Sequence, residues 1–467
     1  MSSTTIDDSY HDHILQSAAT VLMPLYSYYT RYRLLPIHAG ILAVFASIPV
    51  WYRFPGAPKA YTLHYSTGFL IFWAMLWTVG WWLLAGLPGF RVLRRDKVRR
   101  WWALALLLGA LWAFCSTIWG YTGTFSRSDV TAGAALQWGV AVLFALVIAC
   151  VAPSLGRIIT MLMAGLVWNS LLAFVQTGLQ RDLGLRILGE FALNPAKSGI
   201  SIVQAEGVRW LRPYGLLPHP NILAGFLIIG LLAALVWVLD RRRTRWIIGS
   251  SVFLLGLWAL LLTFSRSAWL GFAVAGFFAL PLILRGKLFR RLTKARLVFT
   301  TGVVIVTLGL FALLYYPFLL SRAGVGGESV ELRSVADRNV YAAFAVRMVS
   351  ERPITGMGMG NFPWRASYYL QFTAFDLRGE PVHQVLLLVW AELGTVGLCL
   401  LTAALIFGLE AALRRDVNLN RIALLAGVAA LIVVGLFDHY PWTLPQFQAA
   451  WWGLLAAAGT PGPTTPD

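Results

Sequence analysis

Apolar runs alternate with short polar connections along most of the chain. Near 34–52, 63–87, 101–119, 131–152, 158–178, 220–239, 246–264, 268–284, 297–316, 383–409, 422–437 and 446–459 the runs approach the roughly 20 residues that cross a hydrocarbon layer about 30 Å thick. The pattern predicts an all-α, polytopic membrane protein of about twelve transmembrane helices. The stretch at 15–30 is less apolar and is broken by Pro24, which suits an interfacial helix better than a further span. The longest connection, 317–382, falls between the ninth and tenth helices. Within it, 336–353 reads as a short amphipathic helix stopped by Pro353, and "ITGMGMGNF" follows as a tight glycine turn. Those glycines do not form a nucleotide-binding loop, because no strand precedes them and no βαβ unit surrounds them.

Composition agrees with the pattern. Of 467 residues, 58% are hydrophobic and only 12% charged, too little polar surface to cover a soluble fold of this length. The net charge of +18 would suit nucleic-acid binding if it formed one patch. Instead the basic residues gather in "RVLRRDKVRR" (91–100), "DRRRTR" (240–245), "RGKLFRRLTKAR" (285–296) and "LRRD" (413–416), each between apolar runs. This is the pattern of short cytoplasmic loops, so no nucleic-acid partner is expected. With twelve crossings, all four clusters and both termini share the cytoplasmic side. The expected organisation is a cytoplasmic segment 1–33, spans one to nine over 34–316, an extracytoplasmic loop 317–382, spans ten to twelve over 383–459, and a cytoplasmic tail 460–467. Cys115, Cys150 and Cys399 lie within apolar runs and form neither a disulfide framework nor a metal spacing. The N-terminus "MSSTTIDDSYHDH" lacks the basic start of a signal peptide, which leaves targeting to the first spans.

The opposite side gathers the ionisable residues that lie near span ends: His64, Arg212, His219, Arg266, His383, Asp438 and His439. Groups at this depth are costly unless paired or facing water, and by default they mark function. Each also has a structural reading. Arg212 is either a functional cation, or an interfacial anchor or ion-pair partner of Glu206. His219, between Pro218 and Pro220, is a helix-start group with Asn221, and capping competes with chemistry there. Arg266 splits two spans at a turn where Gly or Asn would be easier, so a buried, anion-holding arginine is expected. His383 follows Pro381 and opens a span, either as a cap or as a working group. Glu392, deeper in that span, is expected to be buried against a neighbouring helix. Asp438 and His439, in "GLFDHYPWTLPQ", are either part of the site or an ordinary turn. His64 has no suggestive neighbour and reads as interfacial.

Arginine forks grip phosphate oxygens, and histidine can accept a proton from a hydroxyl near neutrality. The combination fits a lipid-linked diphosphate donor and an alcohol acceptor, with arginines in place of a metal. A metal-dependent version would want paired carboxylates in an outer loop, and "RFPGAPKAY" has none. A transporter for the same lipid is the rival from another class. It should show repeated halves and polar groups near the bilayer midplane, whereas no repeat is visible here. A scaffold or sensor of the envelope would not need the arginine–histidine set.

"RPYGLLPHPNILAGF", "LLTFSRSAWLG", "DRNVYAAFAVRMVSERPITGMGMGNF", "HQVLLLVWAELGTVGL" and "GLFDHY" occur in this order. Together they resemble the O-antigen ligase and O-antigen polymerase superfamily, which also contains bacterial protein O-oligosaccharyltransferases. The resemblance spans roughly 200 to 460 and rests mainly on Arg-x-x-Gly-x-x-x-His-Pro-Asn together with the histidine before "AELG". It implies a multi-pass glycosyltransferase of the bacterial inner membrane with an extracytoplasmic active site and no cofactor or metal. Its implied partners are an undecaprenyl-diphosphate-linked glycan, an acceptor glycan or glycolipid (lipid A core or a growing surface polysaccharide), and membrane lipids. By the same resemblance Arg212 and His383 are the essential pair, Arg266 and Arg338 join Arg212 on the donor diphosphate, and Asp438 is the acid of the C-terminal motif. His219, Asn221 and His439 are supporting residues. Gln384 stands where the family often has Asn, and nothing in the chain separates ligase from polymerase.

Overall fold

A computed structural model describes residues 32–56, 65–120, 128–285, 294–324, 329–373 and 379–461. The expected helix at 15–30, His64 and nearly all of the N- and C-terminal segments lie outside the described residues. Helix accounts for 74% of the structure, so the all-α expectation holds. In chain order the helices are α1 (Tyr32–Ser47), α2 (Leu70–Leu84), α3 (Phe90–Arg95), α4 (Lys97–Cys115), α5 (Thr117–Gly120), α6 (Ser128–Val151) and α7 (Leu155–Leu179). A hairpin of β1 (Ile202–Ala205) and β2 (Val208–Leu211) precedes α8 (Pro220–Val238), α9 (Arg243–Leu262), α10 (Arg266–Arg285), α11 (Lys294–Leu314) and α12 (Tyr316–Arg322). Then come α13 (Ser329–Glu351), α14 (Phe362–Leu370), α15 (Val385–Leu413), α16 (Leu419–Gly435), α17 (Tyr440–Thr443) and α18 (Pro445–Ala458).

Among the described residues seven helices are long and apolar enough to cross a membrane. An eighth counts if α11 and α12, bent by 84° at Tyr315, form one broken span. Helices α1, α2 and α16 are apolar but shorter, and α18 is shorter still. All twelve predicted apolar runs coincide with a helix, although not all are long enough to count as spans. The hairpin was not predicted. Its two-residue turn, Glu206–Gly207, has positive φ at both positions, the geometry that matches the twist of paired strands.

Helices α6, α8, α16 and α18 form the interior. Helix α18 is buried along its whole length and packs on α6 and α16, while α8 packs on α7, α9 and α16. Its sequence, "PQFQAAWWGLLAAA", alternates bulky rings with alanine and glycine, which lets backbones approach where hydrophobicity cannot drive association. The outer helices expose large apolar side chains instead. Phe277 is 80% exposed and Leu313 78%, as expected of surfaces that face lipid rather than water.

One end of the bundle collects the basic clusters. Asp96 caps α4 by accepting from the amides of Val98 and Arg99, and meets Arg415 Nη2 at 2.5 Å. Arg421 Nη2 donates to Thr460 O at 2.8 Å, and Arg296 Nη1 donates to Arg241 O at 2.9 Å. Arg415 Nε also donates to Gly459 O at 3.2 Å, so 91–100 and 413–416 meet at the end of α18, and 240–245 meets Arg296 near the start of α11. The half-exposed Arg415–Asp96 pair adds little stability, but with the buried Arg421 contact it fixes which helix ends are neighbours.

Helix α15 is broken at Gly394, whose φ of 67° and ψ of −171° are not helical. The glycine turn fills the break. Met357 N donates to Ala391 O at 2.9 Å, Gly358 N to Glu392 O at 2.8 Å, and Thr395 N to Pro353 O at 2.8 Å. Irregular backbone at this depth is tolerated because protein, not lipid, satisfies it. Glu392 is buried as expected, but its partners are not basic side chains: Oε1 accepts from Phe362 N at 3.2 Å, and the Gly360 amide and Trp442 indole also face it. A Cβ at Gly394 would lie 2.0 Å from Ile354 O. Gly394→Ala combines a left-handed backbone penalty with overpacking, on the order of 2–5 kcal/mol in sum. Thermal melting of the detergent-solubilised variant should show the loss; an unchanged melting temperature would mean that the turn and the break are not coupled.

Candidate functional site

The connection "RPYGLLPHPN" is fastened to α7. Gln176 Oε1 accepts from the amides of Tyr214 and Gly215 at 2.9 and 2.8 Å, and Asn169 Oδ1 accepts from Leu216 N at 3.2 Å. These bonds set the path of the chain just before α8. Pro220 then occupies the first helical position, where a missing N–H costs nothing, and His219 is the N-cap. Its Nδ1 accepts from Asn221 N at 3.1 Å, which satisfies one orphan amide of the helix start.

Arg212 is buried at the base of the hairpin, and each of its nitrogens is committed. Nε donates to Thr263 O at 2.6 Å, Nη1 to Ser201 Oγ at 2.8 Å and Nη2 to Asn221 Oδ1 at 2.7 Å. Glu206, one candidate partner, stands at the exposed hairpin tip. Asn221 passes the connection on: its Nδ2 donates to Asp438 Oδ2 at 3.2 Å. Residues from α8, from the α9–α10 turn and from the α16–α17 connection are thus joined through one guanidinium and one amide. Gly225 in α8 makes room for this, since a Cβ there would sit 2.1 Å from the Tyr440 hydroxyl.

Asp438 is buried, and its Oδ1 accepts from His439 N at 2.9 Å. His439 Nδ1 pairs with Thr443 Oγ1 at 2.9 Å, and its ring meets that of His383 edge-on with centroids 5.3 Å apart. Burial and Arg212 push the His219 imidazole well below its ordinary range, with Asp438 opposing them. Burial likewise pushes His439 down, to about 4, against the pull of Asp438. Both rings are therefore neutral at neutral pH. Burial alone would raise the Asp438 carboxyl, but the imidazoles around it, to the extent that they carry a proton, and the hydrogen bond from the Asn221 amide outweigh it and hold the group below its usual range. Asp438 is a carboxylate.

Arg266 differs from expectation: it is exposed at the start of α10, not buried. The turn before it needs neither Gly nor Asn, because Phe264 adopts φ 48° and is held by rings of Trp269, Phe311, Tyr315 and Phe318. Packing offsets the strain of the left-handed position. Arg266 Nη1 donates to Arg322 O at 2.6 Å, and Arg322 Nη2 donates to Phe264 O at 3.2 Å. Arg322 was not singled out by sequence. It follows the sharp bend at Tyr315, which carries α12 back over the α9–α10 turn, and no local pattern signals that return. Arg338 is half-buried on α13, one turn before Tyr341, whose hydroxyl feels the charge of Glu380. Its helix packs on α15, and among the described residues no hydrogen bond joins Arg338 to the cluster.

A small cavity of about 50 Å³ reaches Thr443, the partner of His439. Its wall includes Ser66, Gln137, Glu392, Trp442, Thr443 and Gln448. Ser66 Oγ donates to Gln137 Oε1 at 3.0 Å, and Gln137 Nε2 donates to Gln448 Oε1 at 3.0 Å. These glutamines had no sequence signal, since each is a single polar residue within an apolar helix.

Fold and cluster together point to a membrane protein with a hydrogen-bonded group of arginine, asparagine, aspartate and histidine side chains at the end of the bundle away from Asp96 and Arg415. Residues 251–402 match the family model described as O-Antigen ligase, which supports the O-antigen ligase superfamily for this chain. The family carries a ligase- or polymerase-like function, broadly that of a glycosyltransferase acting on a lipid-linked glycan and a polysaccharide acceptor. The matched segment contains Arg266, Arg338 and His383, whereas Arg212, His219, Asn221, Asp438 and His439 fall outside it. No curated protein matches the chain.

Proposed function

We propose that the protein transfers a glycan from undecaprenyl diphosphate to an acceptor hydroxyl, on lipid A core or a growing surface polysaccharide, at the extracytoplasmic face of the bacterial inner membrane. The observation that carries this reading is the convergence of Arg212, Asn221, Asp438, His439 and His383, from separate connections, at the end of the bundle away from the basic clusters. By the positive-inside rule the basic end is cytoplasmic, so the cluster faces outward. In this reading the chain crosses the membrane twelve times, over 34–316 and 383–459, with both termini inside and 317–382 outside.

His383 takes the proton of the attacking hydroxyl, which forms the new glycosidic bond as the bond to the diphosphate breaks. The leaving diphosphate carries the developing charge, and positively charged forks placed beside it stabilise that charge without a metal. In this reading Arg266, exposed at the start of α10 and bonded to Arg322 O, and Arg338 on α13 supply such forks. Arg212 is committed to the protein, and in this reading it sets the position of Asn221 and, through it, Asp438. Polymerase action on the same donor is the second reading, favoured equally by the family match.

The test is Arg266→Lys in proteoliposomes supplied with lipid-linked glycan and acceptor, with and without EDTA. A point charge replaces a fork whose charge-assisted contact contributes about 1.5–3 kcal/mol, so transfer should fall about tenfold or more. The parent enzyme should be indifferent to EDTA. Full activity of Arg266→Lys would take Arg266 out of the donor site, and loss in EDTA restored by magnesium would remove the metal-free mechanism.

A further inference from the structure

We propose that His383, Asp438 and His439 form a binding site for a transition-metal dication of the zinc class. One ligand atom from each residue lies within 4.8 Å of the other two. Zinc bonds of about 2.0–2.1 Å place tetrahedral ligand atoms roughly 3.3 Å apart, so side-chain rotation closes the set without a change of fold. Two imidazoles and one carboxylate suit zinc or its neighbours in the first transition row; magnesium and calcium want oxygen ligands. Three protein ligands leave a fourth position open.

The surroundings of the triplet are those of a metal site. Thr443 Oγ1 holds His439 Nδ1 at 2.9 Å and leaves Nε2 as that ring's ligand atom. Asn221 Nδ2 and the His439 amide each hold one oxygen of Asp438, which keeps lone pairs to spare. Hydrogen bonds of this kind orient ligands and raise their affinity. His383 Nδ1 is buried and has no hydrogen-bond partner among the described residues. A buried nitrogen without a partner is costly, and a metal bond would satisfy it.

An ion held here occupies the lone pair by which His383 accepts a proton, so it inhibits transfer. This consequence rests on the proposed role of His383; binding does not. The experiment uses the full chain in lipid nanodiscs with His11 and His13 replaced by alanine, because "YHDH" at the N-terminus offers imidazoles of its own. Cobalt(II) is the probe, read by the strong visible absorption of tetrahedral cobalt, with zinc as competitor. One equivalent of tetrahedral cobalt, displaced by zinc, is expected. Asp438→Asn and His439→Gln should each weaken binding at least tenfold. Should Asp438→Asn fail to fold, as judged by its melting curve, His439→Gln decides. Cobalt that stays octahedral, or binding that both variants leave unchanged, overturns the site. In the parent chain added zinc should suppress transfer at least tenfold and chelator should restore it. If zinc binds through these residues and transfer continues, the site stands and His383 is not the base.

Discussion

His383→Ala is expected to fold, to retain the lipid diphosphate and to transfer glycan about 100-fold more slowly or worse, the usual scale for a positioned base. The donor contacts assigned above come from arginines, so the loss should appear in the transfer step rather than in donor affinity. His219→Ala is the control. His219 Nδ1 is already occupied by the amide of Asn221, which is a capping role, and losing a cap costs about 1 kcal/mol. That variant should melt slightly lower and keep most activity. If His219→Ala is dead while His383→Ala works at near-normal rate, the proton goes to the other histidine.

Arg212→Ala should have the second large effect, and stability should show it as well as activity. The substitution strips a donor from Thr263 O, Ser201 Oγ and Asn221 Oδ1 in a buried place. Charge-assisted bonds contribute about 1.5–3 kcal/mol each and are not additive, so a loss of roughly 3–5 kcal/mol is expected. Asn221 then no longer holds Asp438, and transfer should fall with it. Arg212→Lys keeps the charge but cannot reach three acceptors on three elements, so it should recover only part of either loss. An unchanged melting temperature combined with a raised KM for donor would instead mean that Arg212 grips the diphosphate directly.

Span positions were legible because a bilayer imposes a length on every apolar run. The run expected at 246–264 is α9, Arg243–Leu262, and that expected at 220–239 is α8, Pro220–Val238. Charge told which residues share an end, and the Arg212–Asn221–Asp438 chain of bonds agrees with that grouping. What pairs with what was not legible. His383 and His439 meet only because α15 and the α16–α17 connection end side by side, which no local spacing encodes. Arg266 was expected to be buried because its turn looked unfavourable, yet the aromatic cluster around Phe264 stabilises that turn and Arg266 stands exposed, bonded to Arg322 O. Arg322 was missed for the same kind of reason: its place depends on an 84° bend, and hydropathy is blind to direction.

The plugged break in α15 bears on how such an enzyme can be diversified. Backbone amides of 357 and 358 and the carbonyl of Pro353 complete the hydrogen bonding of a membrane helix, so the turn between α13 and α14 is not an independent cassette. A chimera that exchanges 354–361 alone sets a foreign turn against a notch shaped for this one. Grafts meant to change acceptor preference should carry that turn and "AELGT" together as one block. The preceding helix α13 (Ser329–Glu351) belongs to the same block, because Glu351 at its end accepts from Arg365 Nη2 and from the Tyr369 hydroxyl of α14, each at 2.8 Å.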